Sequence, residues 1–224
     1  MKTNLTEILP NVGNYDMTNI FDIYKYGWDI EILKIEKTYE YVEELVNRRR
    51  EWCSKGVHTD PGSIESMGLL EELGLATSLI QPTYYKSVFV TIYSTLEATL
   101  KNLVFTIEQK ADITKSLEEL RRHNGVRKFI NFLVHNGVEV SLIKDKNWEE
   151  LLKWQDVRNC ISHNGGIPRD DHVKQNIEQI GFIIDQESPE IMFHHFDVER
   201  FIELVKAFMD NVYNLCKETF EVSL

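Results

Sequence analysis

Residues 158–163 read Arg-Asn-Cys-Ile-Ser-His and carry the side chains best suited to chemistry on a phosphate. Arg158 offers a planar fork of hydrogen-bond donors that matches phosphate oxygens. His163 follows later in the same run, and an imidazole can take up or release a proton at cellular pH. Asn159 lies one turn before His163, where an amide can orient the imidazole or hydrogen-bond a phosphate. The run therefore predicts a site for phosphoryl chemistry with Arg158, Asn159 and His163 as catalytic residues.

The same run is predicted to lie late in one helix. Asn147 suits the N-cap of a helix that begins at Trp148, and the two glycines at positions 165 and 166 are expected to end it. At about 100° per residue, the polar side chains at positions 158–163 fall on or beside the arc of Trp148 and Leu151, within about 140° of one another. A buried arginine needs a partner, a ligand or a wet cleft. These residues are also typical of an ordinary helix C-terminus, so a structural role stays open.

Long helices must position these residues, because the chain is poor in helix breakers. It has 224 residues, of which 42% are apolar and 11% aromatic, with 11 glycines and 5 prolines. This length fits one domain with elaborations, and the apolar content is sufficient for a hydrophobic core. A β-sandwich or barrel would need a turn about every 8–12 residues. We therefore predict an all-α helical bundle.

The strongest helical pattern covers residues 83–109, where apolar side chains recur every three or four positions. It predicts a helix close to 40 Å long at about 1.5 Å per residue, the central helix of the bundle. A capping box at Ser116 and Glu119 opens another helix, and Asp197 caps the last one. Apolar runs on both sides of residues 186–190 predict one small β-hairpin before that last helix.

The chain is predicted to divide into an N-terminal extension, residues 1–80, and a helical domain, residues 81–224. Within the extension, residues 1–27 carry turn signals and several aromatic side chains, and we expect an arm that packs on the bundle. Residues 29–54 have helical periodicity. A turn and a short helix follow over residues 56–79.

The motif, its placement and the order of the helices together resemble the HEPN superfamily (higher eukaryote and prokaryote nucleotide-binding domains). The signature of that family is an arginine, a polar residue that is often asparagine, and a histidine four to six residues after the arginine. It lies late in one helix of an all-α bundle. Arg158, Asn159 and His163 fit this signature. The likeness covers residues 84–220 and includes a long helix before the motif and a ribbon and an amphipathic helix after it.

This resemblance implies a metal-independent endoribonuclease that needs no cofactor. In active members two protomers bring their motif helices together, so a homodimer forms one cleft that contains both Arg–His pairs. His163 would then assist proton transfer at the ribose 2′-hydroxyl or the leaving 5′-oxygen, and Arg158 would stabilise the charged phosphorane. Many members are toxins or antiphage effectors under the control of an inhibitory or activating protein partner. One branch carries a tyrosine two residues after the histidine, where this chain has Gly165.

The homodimer is predicted to form through the face of the motif helix that bears Trp148, Leu151, Leu152 and Arg158. Apolar residues also occupy the opposite side of this helix, Trp154 among them. One side can therefore pack into the bundle while the other packs against a second copy.

RNA binding requires a local basic patch, because the net charge of the chain is −11. The densest basic cluster without an intervening acid consists of Arg121, Arg122, Arg127 and Lys128, and we predict that it binds RNA. The basic residues 48–50, next to an aromatic side chain, are the second choice.

No other group of residues predicts a stronger site. His194 and His195 have no cysteine or carboxylate at ligand spacing, and His58 with Asp60 falls in a turn, so no metal site is expected. Three widely spaced cysteines encode no disulfide framework, and no apolar run approaches the roughly 18 residues that span a bilayer. We therefore expect a cytosolic protein without membrane partners. The alternative function is a non-catalytic HEPN-like helical module that binds protein or nucleotide.

Overall fold

A computed structural model describes residues 10–59, 61–120, 124–184, 187 and 189–220. Over these residues the chain forms eight α-helices, which we number α1 (Ile20–Thr59), α2 (Ile64–Leu75), α3 (Gln81–Lys110), α4 (Gly125–His135), α5 (Ser141–Lys144), α6 (Lys146–Asn164), α7 (Asp171–Gln179) and α8 (His195–Thr219). A 3-10 turn, Val12–Asn14, precedes α1, and a π-helical segment, Ala76–Ile80, joins α2 to α3.

The central helix is α3, as the periodicity of residues 83–109 predicted. Its apolar stripe is buried along its whole length, from Tyr85 near the start to Ile107 near the end. Helices α1, α4, α6 and α8 all pack against it. The prediction of an all-α fold is confirmed. Each helix in the described part of the chain is too short or too polar to cross a lipid bilayer.

An aromatic cluster fixes the position of α6 in the bundle. Trp154 of α6 is fully buried, and its ring contacts those of Phe89, Phe182, Phe193 and Phe201 at centre-to-centre distances from 5.0 to 6.3 Å. These residues come from α3, from α8 and from the segment between α7 and α8. Packed aromatic pairs combine a large buried area with preferred ring geometries, so the cluster sets the orientation of α6.

Helix α1 extends beyond residues 29–54 at both ends. Its first half packs into the main hydrophobic core through Phe21 and Trp28, so part of the predicted extension shares one core with the rest of the bundle. Its second half pairs with α2, where Arg49 binds the Glu72 carboxylate at 2.6 Å. Periodicity alone missed the first turns because their apolar residues face two different neighbours, α3 and α8.

The prediction of a β-hairpin is wrong: no strand is found on either side of residues 186–190 in the described ranges. Ile191 and Phe193 are buried by the surrounding helices. The N–H of Ile191 donates to the carbonyl oxygen of Gly166 at 2.8 Å and not to a neighbouring strand. A short apolar run can be buried by helices on several sides, so its pattern does not require strand pairing.

The starts of α4 and α8 differ from the positions that capping residues predicted. Helix α8 begins at His195, and Asp197 lies in its first turn, where its carboxylate accepts the backbone N–H of His194 at 2.8 Å. The N–H of Ser116 does donate to the Glu119 carboxylate at 2.7 Å, but residues 117–119 form a turn, and the next helix among the described residues starts at Gly125. Local capping bonds specify a turn, whereas a continuing helix also needs a face that packs.

Candidate active site

All three residues predicted to be catalytic lie on α6. Asp145, and not Asn147, caps the start of this helix, since its carboxylate accepts the N–H of Asn147 at 2.9 Å. Gly165 ends the helix in the left-handed conformation with φ of 62°, and the N–H of Gly166 donates to the carbonyl oxygen of Cys160 at 3.0 Å. The predicted stop at the two glycines is therefore confirmed.

The buried side of α6 turns around the helix axis along its length. The buried positions are three residues apart: Trp148, Leu151, Trp154, Val157 and Cys160. Each step of three shifts the buried side by about 60°, which adds up to about 240° over the stripe. Ser162 and His163 are therefore exposed, and Asn159 is half-buried, although they share an arc with Trp148. The expectation that these polar groups lie on an apolar side is wrong at this end of the helix.

Two of the four residues of the predicted dimer face are not accessible at the surface of one chain. Trp148 and Leu151 are buried within one chain, and Trp148 stacks on Phe208 of α8 with ring centres 5.8 Å apart. Leu152 and Arg158 are the members of that face that keep exposed surface. A face whose apolar residues already pack inside the bundle has little apolar area left to bury against a second copy.

Arg158 is held at the rim of the bundle by three neighbours. Its Nη1 donates to Oδ1 of Asn159 at 3.0 Å, and its Nη2 lies 3.7 Å from Oε2 of Glu97 on α3. Its guanidinium carbon lies 5.7 Å from the centre of the Tyr93 ring, within range of a cation–π contact. The Arg158 side chain keeps 28% of its surface exposed, so it can still reach a ligand in solvent.

Two buried polar atoms of this cluster lack a hydrogen-bond partner within the described residues, Nε of Arg158 and the hydroxyl of Tyr93. Burial raises the pKa of Tyr93, and Glu97 raises it further, whereas the charges of Arg158 and Arg127 lower it. Arg127 of α4 is thus close enough to act on the same hydroxyl as Arg158. The cluster joins α3, α4 and α6 through one acidic, two basic and one phenolic side chain.

Glycine at position 125 allows Glu97 to lie against the start of α4. Gly125 has φ of 59°, and a Cβ atom there would approach Oε1 of Glu97 to 2.9 Å. The positive end of a helix favours a carboxylate at this position. Glu97 therefore lies between the N-terminal turn of α4 and the guanidinium of Arg158 on α6.

His163 lies in the last turn of α6 with its side chain exposed. Its ring makes no hydrogen bond or ion pair with any residue in the described part of the chain. Arg158 and His163 differ by about 140° around the helix, so their side chains diverge within one chain. One chain by itself therefore presents the two polar groups in different directions.

The predicted RNA-binding cluster is only partly described. Arg121 and Arg122 lie outside the described residues, whereas Arg127 is exposed and Lys128 is half-buried near the start of α4. In the second-choice cluster, Arg48 and Arg49 are already paired with acidic residues on α1 and α2. The charge of Arg127 lowers the pKa of the Tyr93 hydroxyl, which lies beside Arg158.

The other residues that the sequence offered as candidates do not form a second catalytic or metal site within the described residues. His194 is the N-cap of α8, and Asp60, the partner of His58, lies outside the described residues. Across the described ranges, no group of three or more His, Cys, Asp or Glu side chains is arranged to hold a metal ion. All three cysteines are free and buried, and burial raises the pKa of Cys160 to about 11.

Sequence reasoning did not identify Glu97 and Tyr93 as neighbours of Arg158. A weak signal existed, because Glu97 lies off the apolar stripe of α3 and a partly buried arginine needs a partner. The pairing itself depends on how α3 and α6 pack. Comparison of the chain with protein-family models, with curated proteins and with solved structures finds no match in any of the three. The resemblance to the HEPN superfamily therefore rests on the motif, its place in the helix and the helix order.

Proposed function

We propose that this chain is a metal-independent endoribonuclease of the HEPN type. The observation that carries the proposal is the guanidinium of Arg158, which Asn159 and Glu97 hold at the rim of the bundle with exposed surface and an unpaired Nε. His163 follows on the same helix, exposed and without a partner among the described residues. A phosphate oxygen can satisfy the free donors of Arg158 in place of the loosely paired carboxylate.

The proposed reaction is attack by a ribose 2′-hydroxyl on the adjacent phosphorus. The bond between the 2′-oxygen and phosphorus forms as the bond to the 5′-oxygen breaks, which leaves a 2′,3′-cyclic phosphate and a free 5′-hydroxyl. His163 accepts the proton of the 2′-hydroxyl or supplies the proton of the leaving 5′-oxygen. Arg158 stabilises the negative charge that develops on the phosphorane oxygens.

A homodimer is part of this proposal, because Arg158 and His163 diverge within one chain. Two motif helices that face each other place one histidine of each protomer in the same cleft, so one can act as base and the other as acid. With Trp148 and Leu151 buried, the contact would use the solvent side of α6. Leu152, Asn159 and His163 fall on that side and none of them is fully buried.

The path of the RNA would run from the cleft over the start of α4. Arg127 is exposed there, and its charge reaches the Tyr93 hydroxyl next to Arg158. Lys128 adds a second positive charge, with Arg121 and Arg122 as further candidates in the preceding stretch. A role as a toxin or antiphage effector, controlled by an inhibitory or activating protein partner, follows from the resemblance and belongs to the same proposal.

The test is cleavage of single-stranded RNA by the purified protein in excess EDTA. We expect cleavage by the wild-type chain, products that end in 2′,3′-cyclic phosphate, and no cleavage by the His163→Ala variant. Activity that disappears on chelation, or that survives in His163→Ala, would contradict the proposed mechanism.

The second candidate function is a non-catalytic module that binds another protein, and the exposed apolar surface of α2 favours it. Ile64, Met67 and Leu70 are all exposed there, Ile64 to 91%. Large exposed apolar side chains in one region are typical of interaction surfaces. A wild-type protein that folds, dimerises and never cleaves RNA would support this function over the ribonuclease.

A further inference from the structure

A polar cavity of about 360 Å³ lies away from α6, where α1, the start of α3 and the segment before α8 meet. Its size is at the small end of the range for ligand pockets, which begins at about 300 Å³. The polar side chains that line it include Glu43, Asn47, Arg50, Gln81 and Tyr85. None of these residues belongs to the proposed ribonuclease site.

One wall of the cavity carries the carboxylate of Glu43. Burial raises the pKa of the Tyr85 hydroxyl, and its interaction with this carboxylate raises it further, yet one carboxylate oxygen keeps no partner among the described residues. Oε1 of Glu43 is buried and has no hydrogen-bond partner in the described part of the chain. Gln81 and Tyr85 are both buried, and Nε2 of Gln81 donates to the Tyr85 hydroxyl at 3.2 Å. Leaving a buried charged acceptor unpaired is costly, so this oxygen favours a ligand that brings a donor.

The cavity lining also presents a cation. Arg50 is exposed and makes no ion pair with the described residues, whereas Arg48 and Arg49 each bind a glutamate. Arg50 follows Glu43 by two turns of α1, about 10 Å along the helix at about 1.5 Å per residue. The two opposite charges therefore lie two turns apart on the same face of α1, and both line one cavity.

A distorted helix next to the cavity is an independent observation. The π-helical segment Ala76–Ile80 directly precedes Gln81, and its Thr77 lines the cavity. π-helical turns are rare and occur frequently at functional sites, because they displace side chains that a regular α-helix would place elsewhere. Here the segment sets the position from which Gln81 enters the cavity wall.

We propose that this cavity binds a small elongated zwitterion, with a cationic head on Glu43 and an anionic tail on Arg50. A guanidinium head suits the carboxylate best, because it can donate two parallel hydrogen bonds. The apolar side chains of Pro82, Met192 and Phe193 provide a wall for the aliphatic middle of such a ligand. The cavity lining holds one carboxylate and one guanidinium, besides the imidazoles of His194 and His195, so an electrically neutral ligand balances the two fixed charges. This proposal is independent of ribonuclease activity.

Isothermal titration calorimetry of the full chain tests the proposal with three probes. We use 4-guanidinobutyrate as the complete zwitterion, butylguanidine as an analogue in which a methyl group replaces the anionic tail, and pentanoate as an analogue in which a methyl group replaces the cationic head. We expect 4-guanidinobutyrate to bind at least about tenfold more tightly than either analogue, the usual size of one charged hydrogen-bonded contact.

Variants of the two charged residues assign the contacts. Glu43→Gln should weaken binding of 4-guanidinobutyrate by about tenfold or more, and Arg50→Met should remove its advantage over butylguanidine. Arg48→Met, on the same helix and outside the cavity, is the matched control and should bind like the wild type. Since Arg50 is exposed, its variant keeps the test valid even if Glu43→Gln fails to fold. The absence of binding at millimolar 4-guanidinobutyrate, or equal binding by Arg50→Met and the wild type, would overturn the proposal.

Discussion

The two sides of α6 differ in how firmly their residues are held. On the core side, Trp154 and its neighbours along the stripe are buried against α3, α8 and the segment before α8. On the solvent side, Arg158 has a few partly exposed contacts and His163 has none among the described residues. One helix therefore separates the side chains that stabilise the fold from the side chains proposed to act on RNA.

The largest expected effect lies on the core side. Trp154→Ala should lower the free energy of unfolding by about 3–5 kcal/mol, because it removes a fully buried ring from the centre of an aromatic cluster. Chemical denaturation followed by circular dichroism measures this loss. Lys153→Ala, one position earlier on the same helix, is the control and should change stability little. A loss below about 1 kcal/mol for Trp154→Ala would mean that α6 is not packed as described.

Substitutions on the solvent side of α6 should lower activity and leave stability unchanged. Arg158→Ala and His163→Ala should each lower RNA turnover by at least about 10²-fold, the usual scale for a charge stabiliser or a general acid–base. Their melting temperatures should stay close to that of the wild type, because neither residue belongs to the buried stripe. His172→Ala, an exposed histidine on α7, serves as control in the same single-turnover assay. Unfolding of both variants would assign them a structural role.

Thiol reactivity compares the two sides directly. Burial raises the pKa of Cys160 to about 11, so its thiolate at pH 8 should be more than about 10²-fold scarcer than that of an exposed cysteine with a pKa near 8.5. Ser162→Cys should introduce one thiol that reacts rapidly with Ellman's reagent. The wild type, whose three cysteines are all buried, should react slowly. Fast labelling of native wild-type protein would contradict the burial of Cys160.

Charge reversal at the start of α4 should have a smaller effect. The double variant Arg127→Glu with Lys128→Glu should weaken RNA binding by about tenfold at low salt and flatten its salt dependence, because fewer phosphates are neutralised. Fluorescence anisotropy at several salt concentrations gives both values. Lys144→Glu with Lys146→Glu makes the same charge change at the other end of α6 and should have less effect. Equal effects of the two pairs would indicate non-specific attraction.

The smallest expected effect is an increase in RNA affinity. Glu97→Gln removes the carboxylate that competes with phosphate for Arg158, and it should raise RNA affinity by about threefold, as suits a partly exposed ion pair. Glu203→Gln on α8 changes the net charge by the same amount and is the control. Weaker RNA binding by Glu97→Gln would show that Glu97 positions Arg158 more than it competes for it.

Local pattern was sufficient for the parts of the fold that depend on neighbouring residues. The apolar spacing of residues 83–109 predicted α3, and the glycines after the motif predicted its end, since both depend on helix geometry and on a left-handed residue at Gly165. The predicted hairpin was wrong, because buried residues such as Ile191 and Phe193 give the same apolar pattern whether strands or helices cover them. The sequence also did not show that Trp148 and Leu151 of the predicted dimer face are buried within one chain, because their burial depends on how α6 packs against its neighbours.

The sequence by itself determined the helical class, the central helix and the presence of Arg158, Asn159 and His163 on one helix, because these follow from spacing over a few turns. Only the tertiary structure decided which side chains each of these residues contacts. It placed Glu97 of α3 against Arg158 of α6, and it enclosed Glu43 of α1 in a cavity that residues of α3 and the segment before α8 complete. Such contacts join positions that are far apart in the chain, and the side chains that pack between the helices select them.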